Sequence, residues 1–142
     1  MKKVVVFGAS GNTGTYFVKY FLEDNSDKDY EVVAVGTRET QKFDELGVTY
    51  YQVDITKKEE FDKLPKDVYA VVDLAGAMPA RMKGYDPQYY IDVNITGNLN
   101  ILEYCRKNHA LLRLFACENF TEIGEFFSVR GEDIIMMDAL GD

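Results

Sequence analysis

The sequence predicts an α/β fold built on a doubly wound parallel sheet, and two observations support that prediction. Short apolar runs alternate with segments of helical periodicity between residues 4 and 116, which is the pattern of strand–helix–strand units. Runs such as 69–72 are apolar without interruption, as expected of strands covered on both faces. Right-handed crossovers between such strands then predict three layers and the strand order 3-2-1-4-5.

The predicted elements follow from apolar runs and from helical spacing. Strands are predicted at residues 4–7, 32–35, 48–53, 68–74 and 111–116, and helices at 13–24, 40–46, 56–64 and 88–108. Gly47 is expected to close the second helix, and Thr56 with Glu59 to form a capping box for the third. The side chains of the last helix expected to face the sheet are Tyr90, Val93, Ile95, Leu99, Leu102 and Cys105.

The loop between the first strand and the first helix holds the strongest functional signal. Gly8 permits a tight turn, Gly11 lets a phosphate approach the backbone, and Gly14 lets the helix pack closely on the sheet. The free N–H groups and the dipole at the start of the helix supply an anion site. No Gly-Lys-Ser/Thr follows, which excludes a P-loop. The residues predicted to contact the phosphates are Gly8, Ser10, Gly11, Asn12, Thr13 and Gly14.

Length and composition limit the possible functions. The 142 residues are expected to form a single domain, and a net charge of −8 argues against nucleic acid as a partner. Cys105 and Cys117 have neither the spacing of metal ligands nor the density of a disulfide scaffold, so we predict reduced thiols and a cytoplasmic location. No apolar stretch is long enough for a signal peptide or a membrane span, and no membrane partner is expected.

Three further segments accompany the glycine loop in a characteristic order. They are Val53-Asp54-Ile55-Thr56, the run 67–76 that ends in Leu74-Ala75-Gly76, and the helical segment 93–103 that begins with Val93-Asn94. Together with residues 8–14, they make the chain resemble the extended short-chain dehydrogenase/reductase family, also described as NAD-dependent epimerase/dehydratase proteins, over about residues 2–124. The resemblance implies a Rossmann-type domain that binds a dinucleotide.

The resemblance also implies a place for each part of that dinucleotide. Asp54 is expected to hydrogen-bond the adenine amino group, and the backbone of Ile55 to lie beside the adenine ring. The alternative for Asp54 is a surface carboxylate near a helix. The residues expected at the nicotinamide ribose are Leu74, Ala75 and Gly76, with Asn94 close to the same pocket.

The end of the second strand bears on which dinucleotide binds. An NAD site usually places an acidic residue there to accept a hydrogen bond from the 2′-hydroxyl, whereas this chain has Gly36, Thr37 and Arg38. A guanidinium suits a 2′-phosphate, which a carboxylate would repel. The segment therefore predicts NADP in preference to NAD, although the adjacent Glu39 works against that preference. The alternative is that Arg38 only extends into solvent.

The resemblance further implies a catalytic Tyr-x-x-x-Lys pair, and none follows the predicted fifth strand. We therefore assign no catalytic residue and no metal ligand. One explanation for the missing pair is that the chain is the cofactor-binding half of an epimerase, dehydratase or reductase of nucleotide sugars. The alternatives are a short protein that binds a dinucleotide without catalysis, as a sensor, and a scaffold that no longer binds nucleotide.

Residues 125–142 fall outside the resemblance. A sheet that ended at its fifth strand would leave an unpaired edge and an uncovered apolar face, both of which promote association. We therefore expect self-association through that edge or through the tail. The apolar tail residues concerned are Phe126, Phe127, Ile134, Ile135, Met136 and Met137.

Overall fold

The computed structural model describes residues 1–24, 29–77, 86–114, 125–130 and 133–138. The strands are β1 (Lys2–Phe7), β2 (Tyr30–Gly36), β3 (Thr49–Gln52), β4 (Ala70–Asp73), β5 (Leu111–Leu114), β6 (Glu125–Arg130) and β7 (Asp133–Asp138). The helices are α1 (Asn12–Asp24), α2 (Pro87–Ile91) and α3 (Asn98–Asn108), with a π-helical segment at Asp92–Gly97 and a 3₁₀ segment at Lys58–Lys63. Among these described helices, none has the length and hydropathy to span a bilayer.

The strands form one sheet in the order β3-β2-β1-β4-β5-β6-β7. Strands β1 to β5 are parallel, which confirms the predicted order 3-2-1-4-5. The expectation that β5 leaves an open edge is wrong, because β6 pairs with it in the antiparallel sense and β7 pairs with β6. The chain thereby satisfies backbone groups that an edge strand would leave unpaired. Residues 115–116 of the predicted fifth strand lie outside the described residues.

Alternate residues of β1 supply two separate hydrophobic cores. Val4 and Val6 belong to a buried cluster that includes Val18 of α1. Val5 and Phe7 belong to a second cluster that includes buried side chains of α3. Because successive strand residues point to opposite faces, the two clusters lie on opposite sides of the sheet. The sheet is therefore the middle of three layers, as predicted.

Successive turns at residues 42–47 replace the helix predicted at 40–46. The hydrogen bonds there join residues three apart, at 3.0–3.2 Å. Phe43 is completely buried and stacks on Tyr50 with ring centroids 5.2 Å apart, so one ring anchors a segment too short to propagate a helix. Gly47 closes the turn with φ 67°, a conformation that glycine adopts without strain.

The 3₁₀ segment Lys58–Lys63 replaces the predicted third helix, and the predicted capping box is wrong. The hydroxyl of Thr56 donates to Asp54 Oδ1 at 2.7 Å instead of capping a helix. Glu60, and not Glu59, reaches back, and its Oε2 accepts from the N–H of Asp54. The carboxylate of Asp54 thus takes the hydroxyl that was predicted to cap the helix, as short polar side chains often compete for local hydrogen bonds.

The helical residues from Pro87 to Asn108 are consecutive, but the buried face differs from the predicted one. The side chains of Ile95, Leu99 and Leu102 are 63%, 57% and 37% exposed, so the expectation that they face the sheet is wrong. The π segment at Asp92–Gly97 has more residues in each turn than an α-helix, so it changes which side chains of the following α3 face the sheet. The residues on the face that packs on the sheet are Val93, Gly97, Ile101 and Cys105.

Candidate functional site

A crevice of about 260 Å³ lies at the carboxyl ends of β1 to β4. Parallel sheets open such a crevice where the strand order reverses, here between β1 and β4. The crevice is lined by every predicted cofactor-binding residue except Asn94. Those residues are Gly8, Ser10, Gly11, Asn12, Thr13, Gly14, Thr37, Arg38, Asp54, Ile55, Leu74, Ala75 and Gly76.

The glycines of the loop differ in what they make room for. Gly8 has φ 73°, and a Cβ there would lie 2.6 Å from the backbone carbonyl carbon of Leu74. A Cβ on Gly14 would lie 2.1 Å from the carbonyl oxygen of Gly8. At Gly11 the nearest described atom to a Cβ is the same oxygen at 3.4 Å, an ordinary contact. Gly8 and Gly14 therefore permit the loop to pack, whereas Gly11 leaves space beside the crevice.

The first turn of α1 brings unpaired N–H groups to the crevice. The N–H of Thr15 bonds to the carbonyl of Gly11 at 2.9 Å. Within the described residues, the N–H groups of Asn12, Thr13 and Gly14 make no hydrogen bond. The first turn of α1 contains no acidic side chain, so nothing there neutralises the positive end of the helix dipole. This arrangement suits a phosphate.

Two side chains of β3 hold the segment that follows β2. The hydroxyl of Tyr50 donates to the carbonyl of Arg38 at 2.5 Å, and Gln52 Nε2 donates to the carbonyl of Thr37 at 3.0 Å. Burial raises the pKa of the Tyr50 hydroxyl, opposed by its hydrogen bond with Ser10, so the group stays a donor at neutral pH. The backbone of Thr37 and Arg38 is therefore fixed, while their side chains are exposed.

Asp54 and Ile55 form the corner of the crevice beyond β3. Asp54 is half-buried, and its Oδ1 accepts from the N–H and the hydroxyl of Thr56 at 3.0 and 2.7 Å. Its Oδ2 accepts no hydrogen bond from the part of the chain that the structure describes. The carbonyl of the buried Ile55 accepts from Asn100 Nδ2 at 2.8 Å, which ties this corner to α3.

Asn94 lies next to the segment 74–77, which forms one wall of the crevice, but does not itself line the crevice. Its Oδ1 accepts from the N–H of Ala77 at 2.8 Å, and its Nδ2 donates to the carbonyl of Ala77 at 3.0 Å. Ala77 itself lines the crevice. The structure thus brings Asn94 close to the site as a support for the backbone, outside the set of lining residues.

Asp73 is a buried acid at the end of β4, next to the wall residues. Its side chain is 3% exposed, and Oδ1 accepts from the N–H of Ala75 at 3.0 Å. Burial raises the pKa of Asp73 to about 6, partly opposed by that hydrogen bond. The side chain therefore holds the strand end with a carboxyl group that is poorly solvated when charged.

Comparison with known proteins decides the family. The model of the NAD dependent epimerase/dehydratase family matches residues 4–125, which is most of the chain. The chain belongs to this family. The match covers the glycine loop and every other residue predicted to bind cofactor, and the family's name supports a nicotinamide dinucleotide as the ligand of the crevice.

The chain is also similar to individual proteins and solved structures. A putative UDP-glucose 4-epimerase of Methanocaldococcus jannaschii is 28% identical over 125 residues, which are 86% of this chain and 40% of that protein. The UDP-glucose 4-epimerase of Thermus thermophilus, solved with NAD, is 28% identical with a TM-score of 0.59 over 75% of this chain and 34% of that one. An L-threonine dehydrogenase of Clostridium difficile, 22% identical, shares the fold with a TM-score of 0.66 over 80% of this chain and 36% of that one. The chain spans less than half the length of each.

The structure adds lining residues that were not predicted to bind the cofactor. Tyr89 and Val93 reach the crevice from the long helix. Asp86 caps that helix, its Oδ1 accepting from the N–H of Tyr89 at 3.2 Å, and so fixes the first turn beside the strand ends. The capping pair Asp86-Pro87 is the sequence signal that marks this turn. The other added residues are Phe7, Val35, Gly36, Val53 and Ala77.

Proposed function

We propose that this chain binds a nicotinamide dinucleotide in the crevice, with the pyrophosphate on the N–H groups of Asn12, Thr13 and Gly14. The observation that carries the proposal is the position of these unpaired N–H groups. They begin a helix of 13 residues beside the space that Gly11 leaves open. Membership of the epimerase/dehydratase family supports the same ligand.

The rest of the dinucleotide is proposed to extend to both sides of the loop. On one side, the adenine ring lies beside Ile55 and its amino group donates to Asp54 Oδ2. The adenosine ribose lies at Thr37 and Arg38, whose backbone β3 holds in place. On the other side, the nicotinamide ribose lies along the segment 74–76 at the end of β4.

We further propose that NADP binds more tightly than NAD. Strand β2 ends at Gly36, and the next two residues, Thr37 and Arg38, line the crevice and carry a hydroxyl and a guanidinium. A carboxylate that would accept from a 2′-hydroxyl is absent from these positions, while Arg38 suits the charge of a 2′-phosphate. The Thermus epimerase was solved with NAD, so cofactor preference is a question for this chain itself.

Catalysis is a separate proposal from binding. When bound, the dinucleotide supplies hydride transfer. The relative named as a UDP-glucose 4-epimerase supports nucleotide sugars as the substrate class of the whole protein. Because the sequence contains no Tyr-x-x-x-Lys, we assign binding and orientation of the dinucleotide to this chain. A second candidate function, a sensor in which dinucleotide binding alters affinity for a partner, requires the same binding site.

Thermal unfolding with NAD, NADH, NADP and NADPH tests the proposed function. A ligand at a hundred times its dissociation constant stabilises the native state by about 2.7 kcal/mol, which is readily measured as a rise in Tm. We expect a rise with each dinucleotide and the largest with NADP or NADPH at equal concentration. Nicotinamide alone, which lacks the pyrophosphate, is the matched control. If none of the four dinucleotides raises Tm, both the enzyme-half and the sensor proposals are wrong.

Self-association and a cytoplasmic location are two further proposals. Because β5 is paired, the edges of the described sheet are β3 and β7, and we propose that one of these edges or the 125–142 tail mediates contact between copies. Light scattering at micromolar concentration distinguishes a dimer from a monomer, and a monomeric mass contradicts the proposal. The cytoplasmic location inferred from cysteine usage stays a prediction.

A further inference from the structure

Lys42 reaches the glycine loop from the turn segment at 42–47. Its ammonium donates to the carbonyl of Ser10 at 2.7 Å and to the hydroxyl of Thr15 at 2.9 Å. Lys42 is not among the residues that line the crevice. The side chain therefore contacts the loop without occupying the space proposed for the ligand.

The hydroxyl of Thr15 extends the contact of Lys42 to the rest of the loop. Thr15 Oγ1 lies 2.7 Å from the carbonyl oxygen of Gly11 and 3.1 Å from that of Ala9. A hydroxyl has one hydrogen to donate and lone pairs to accept, so it accepts from Lys42 and donates to one of these carbonyls. Lys42 thus engages the carbonyl of Ser10 directly, and the Thr15 hydroxyl engages one further loop carbonyl, with that of Gly11 at the shorter distance.

These contacts matter for an anion because a peptide group presents its carbonyl and its N–H in opposite directions. A carbonyl oxygen turned toward the crevice would repel a phosphate. The carbonyl of Ser10 shares its peptide group with the N–H of Gly11, which bonds to the carbonyl of Gly8 at 3.2 Å, and the carbonyl of Gly11 shares its peptide group with the N–H of Asn12. Pairing the Ser10 carbonyl with Lys42 and the Gly11 carbonyl with Thr15 therefore disfavours a flip that would turn either oxygen toward the phosphate or turn the Asn12 N–H away from it. The ammonium also places a positive charge beside a loop proposed to hold a pyrophosphate, which increases the attraction.

We propose that Lys42 is a positioning residue for the dinucleotide, acting on the pyrophosphate through the orientation and charge of the glycine loop. The proposal rests on the proposed function. It assigns Lys42 a role different from that of Arg38. Lys42 contributes equally to NAD and NADP, which share the pyrophosphate, whereas Arg38 distinguishes them at the 2′-phosphate.

The turn is anchored chiefly by Phe43, and the Lys42 ammonium adds only a contact 5.8 Å from the centroid of the Phe43 ring. Phe43 anchors it by complete burial and by stacking on Tyr50, whereas Lys42 is exposed. Removal of the ammonium is therefore expected to leave the fold intact. Lys19 offers a matched control, because it is an exposed lysine of α1, one helical turn beyond Thr15, with no contact to the loop among the described residues.

Isothermal titration with NAD and with NADP tests the proposal on Lys42→Met, Lys42→Arg and Lys19→Met. We expect Lys42→Met to weaken both dinucleotides by about tenfold, with Tm unchanged without ligand. Lys42→Arg, which keeps a cationic donor, is expected to recover most of the affinity, and Lys19→Met to bind as wild type does. Thr15→Ser is expected to retain affinity and Thr15→Val to lose it.

Three other results would overturn the proposal, and a fourth would overturn the proposed function as well. Unchanged affinity in Lys42→Met overturns the proposal, as does an equal loss in Lys19→Met, because a general charge effect then explains it. A loss confined to NADP also overturns it and assigns Lys42 to the 2′-phosphate. If the wild-type chain binds neither dinucleotide, the proposed function fails first and the role of Lys42 fails with it.

Discussion

A Cβ at position 14 would lie 2.1 Å from the carbonyl oxygen of Gly8. The first turn of α1 and the end of β1 are thus in contact through their backbones, and no methyl group fits between them. The two glycines determine the shape of the loop, while Gly11 determines how closely a ligand approaches it. These roles are separable by substitution.

Gly14→Ala is expected to lower the free energy of unfolding by about 3 kcal/mol, because the methyl group forces apart backbone that cannot yield. Urea denaturation measures the loss. Gly47→Ala is the control, since Gly47 has a positive φ but, apart from its chain neighbours, no described atom within 4 Å of the added Cβ, and the substitution is expected to cost only about 1 kcal/mol. Equal costs at the two positions would contradict the packing argument.

Gly11→Ala is expected to keep the fold and to lose the ligand. Its Cβ would meet the nearest described atom at 3.4 Å, so stability is expected to stay within about 0.5 kcal/mol of wild type. The methyl group takes the space through which the pyrophosphate approaches the backbone, and dinucleotide affinity is expected to fall by about tenfold or more. Titration of the folded variant measures the loss. Wild-type affinity would show that the phosphates lie elsewhere.

Arg38→Ala is expected to weaken NADP by about tenfold while leaving NAD unchanged, because only NADP carries the 2′-phosphate. Titration of the same preparation with both dinucleotides gives the ratio directly, and NAD is the internal control. Arg106→Ala, which removes an exposed arginine paired with Glu103, controls for net charge. An equal loss for NAD and NADP would exclude a specific contact with the 2′-phosphate.

Asp73→Asn is expected to stabilise the chain at neutral pH. The pKa of Asp73 is about 6 in the native state and 3.8 unfolded, so the native state binds more protons between these values. Stability contributed by this carboxyl is therefore lost as pH rises from about 4 to about 7, by up to about 3 kcal/mol. The amide keeps an oxygen for the N–H of Ala75. Urea unfolding of both proteins across this range is expected to show a difference that grows with pH, and a constant difference would contradict the raised pKa.

The Cys105 thiol is expected to be unreactive in the native chain. Burial, followed by the charge of Asp73, raises the pKa of Cys105 to about 12, and only the thiolate reacts with disulfide reagents. Cys117 lies outside the described residues, so the test uses Cys117→Ser. We expect Ellman's reagent at about pH 8 to label Cys105 only after unfolding in guanidinium. Fast labelling of the native protein would contradict its burial.

Much of the fold was predictable because its signals are local or follow from chain handedness. Gly8, Gly11 and Gly14 mark a turn whose geometry few other residues adopt, and uninterrupted apolar strands with right-handed crossovers allow few strand orders. The same topology brings the segments after β1, β2, β3 and β4 to one crevice. A family resemblance then suffices to propose which part of a ligand each segment meets.

The errors arise where a distant contact decides local structure. Phe43 is buried by Tyr50 and becomes part of a turn, although the surrounding sequence has helical spacing. Asp54 takes Thr56 and Glu60 as partners and prevents the predicted cap. No periodicity indicates that Lys42 meets Ser10, because that contact depends on how the turn packs beside the loop.

The paired hydrogen bonds between Asn94 and Ala77 couple the position of a helix to the position of a strand end. They join the backbone that follows β4 directly to the π-helical segment, so a displacement of that segment is transmitted to Ala77, which lines the crevice. A side chain outside the crevice thus influences the shape of the crevice.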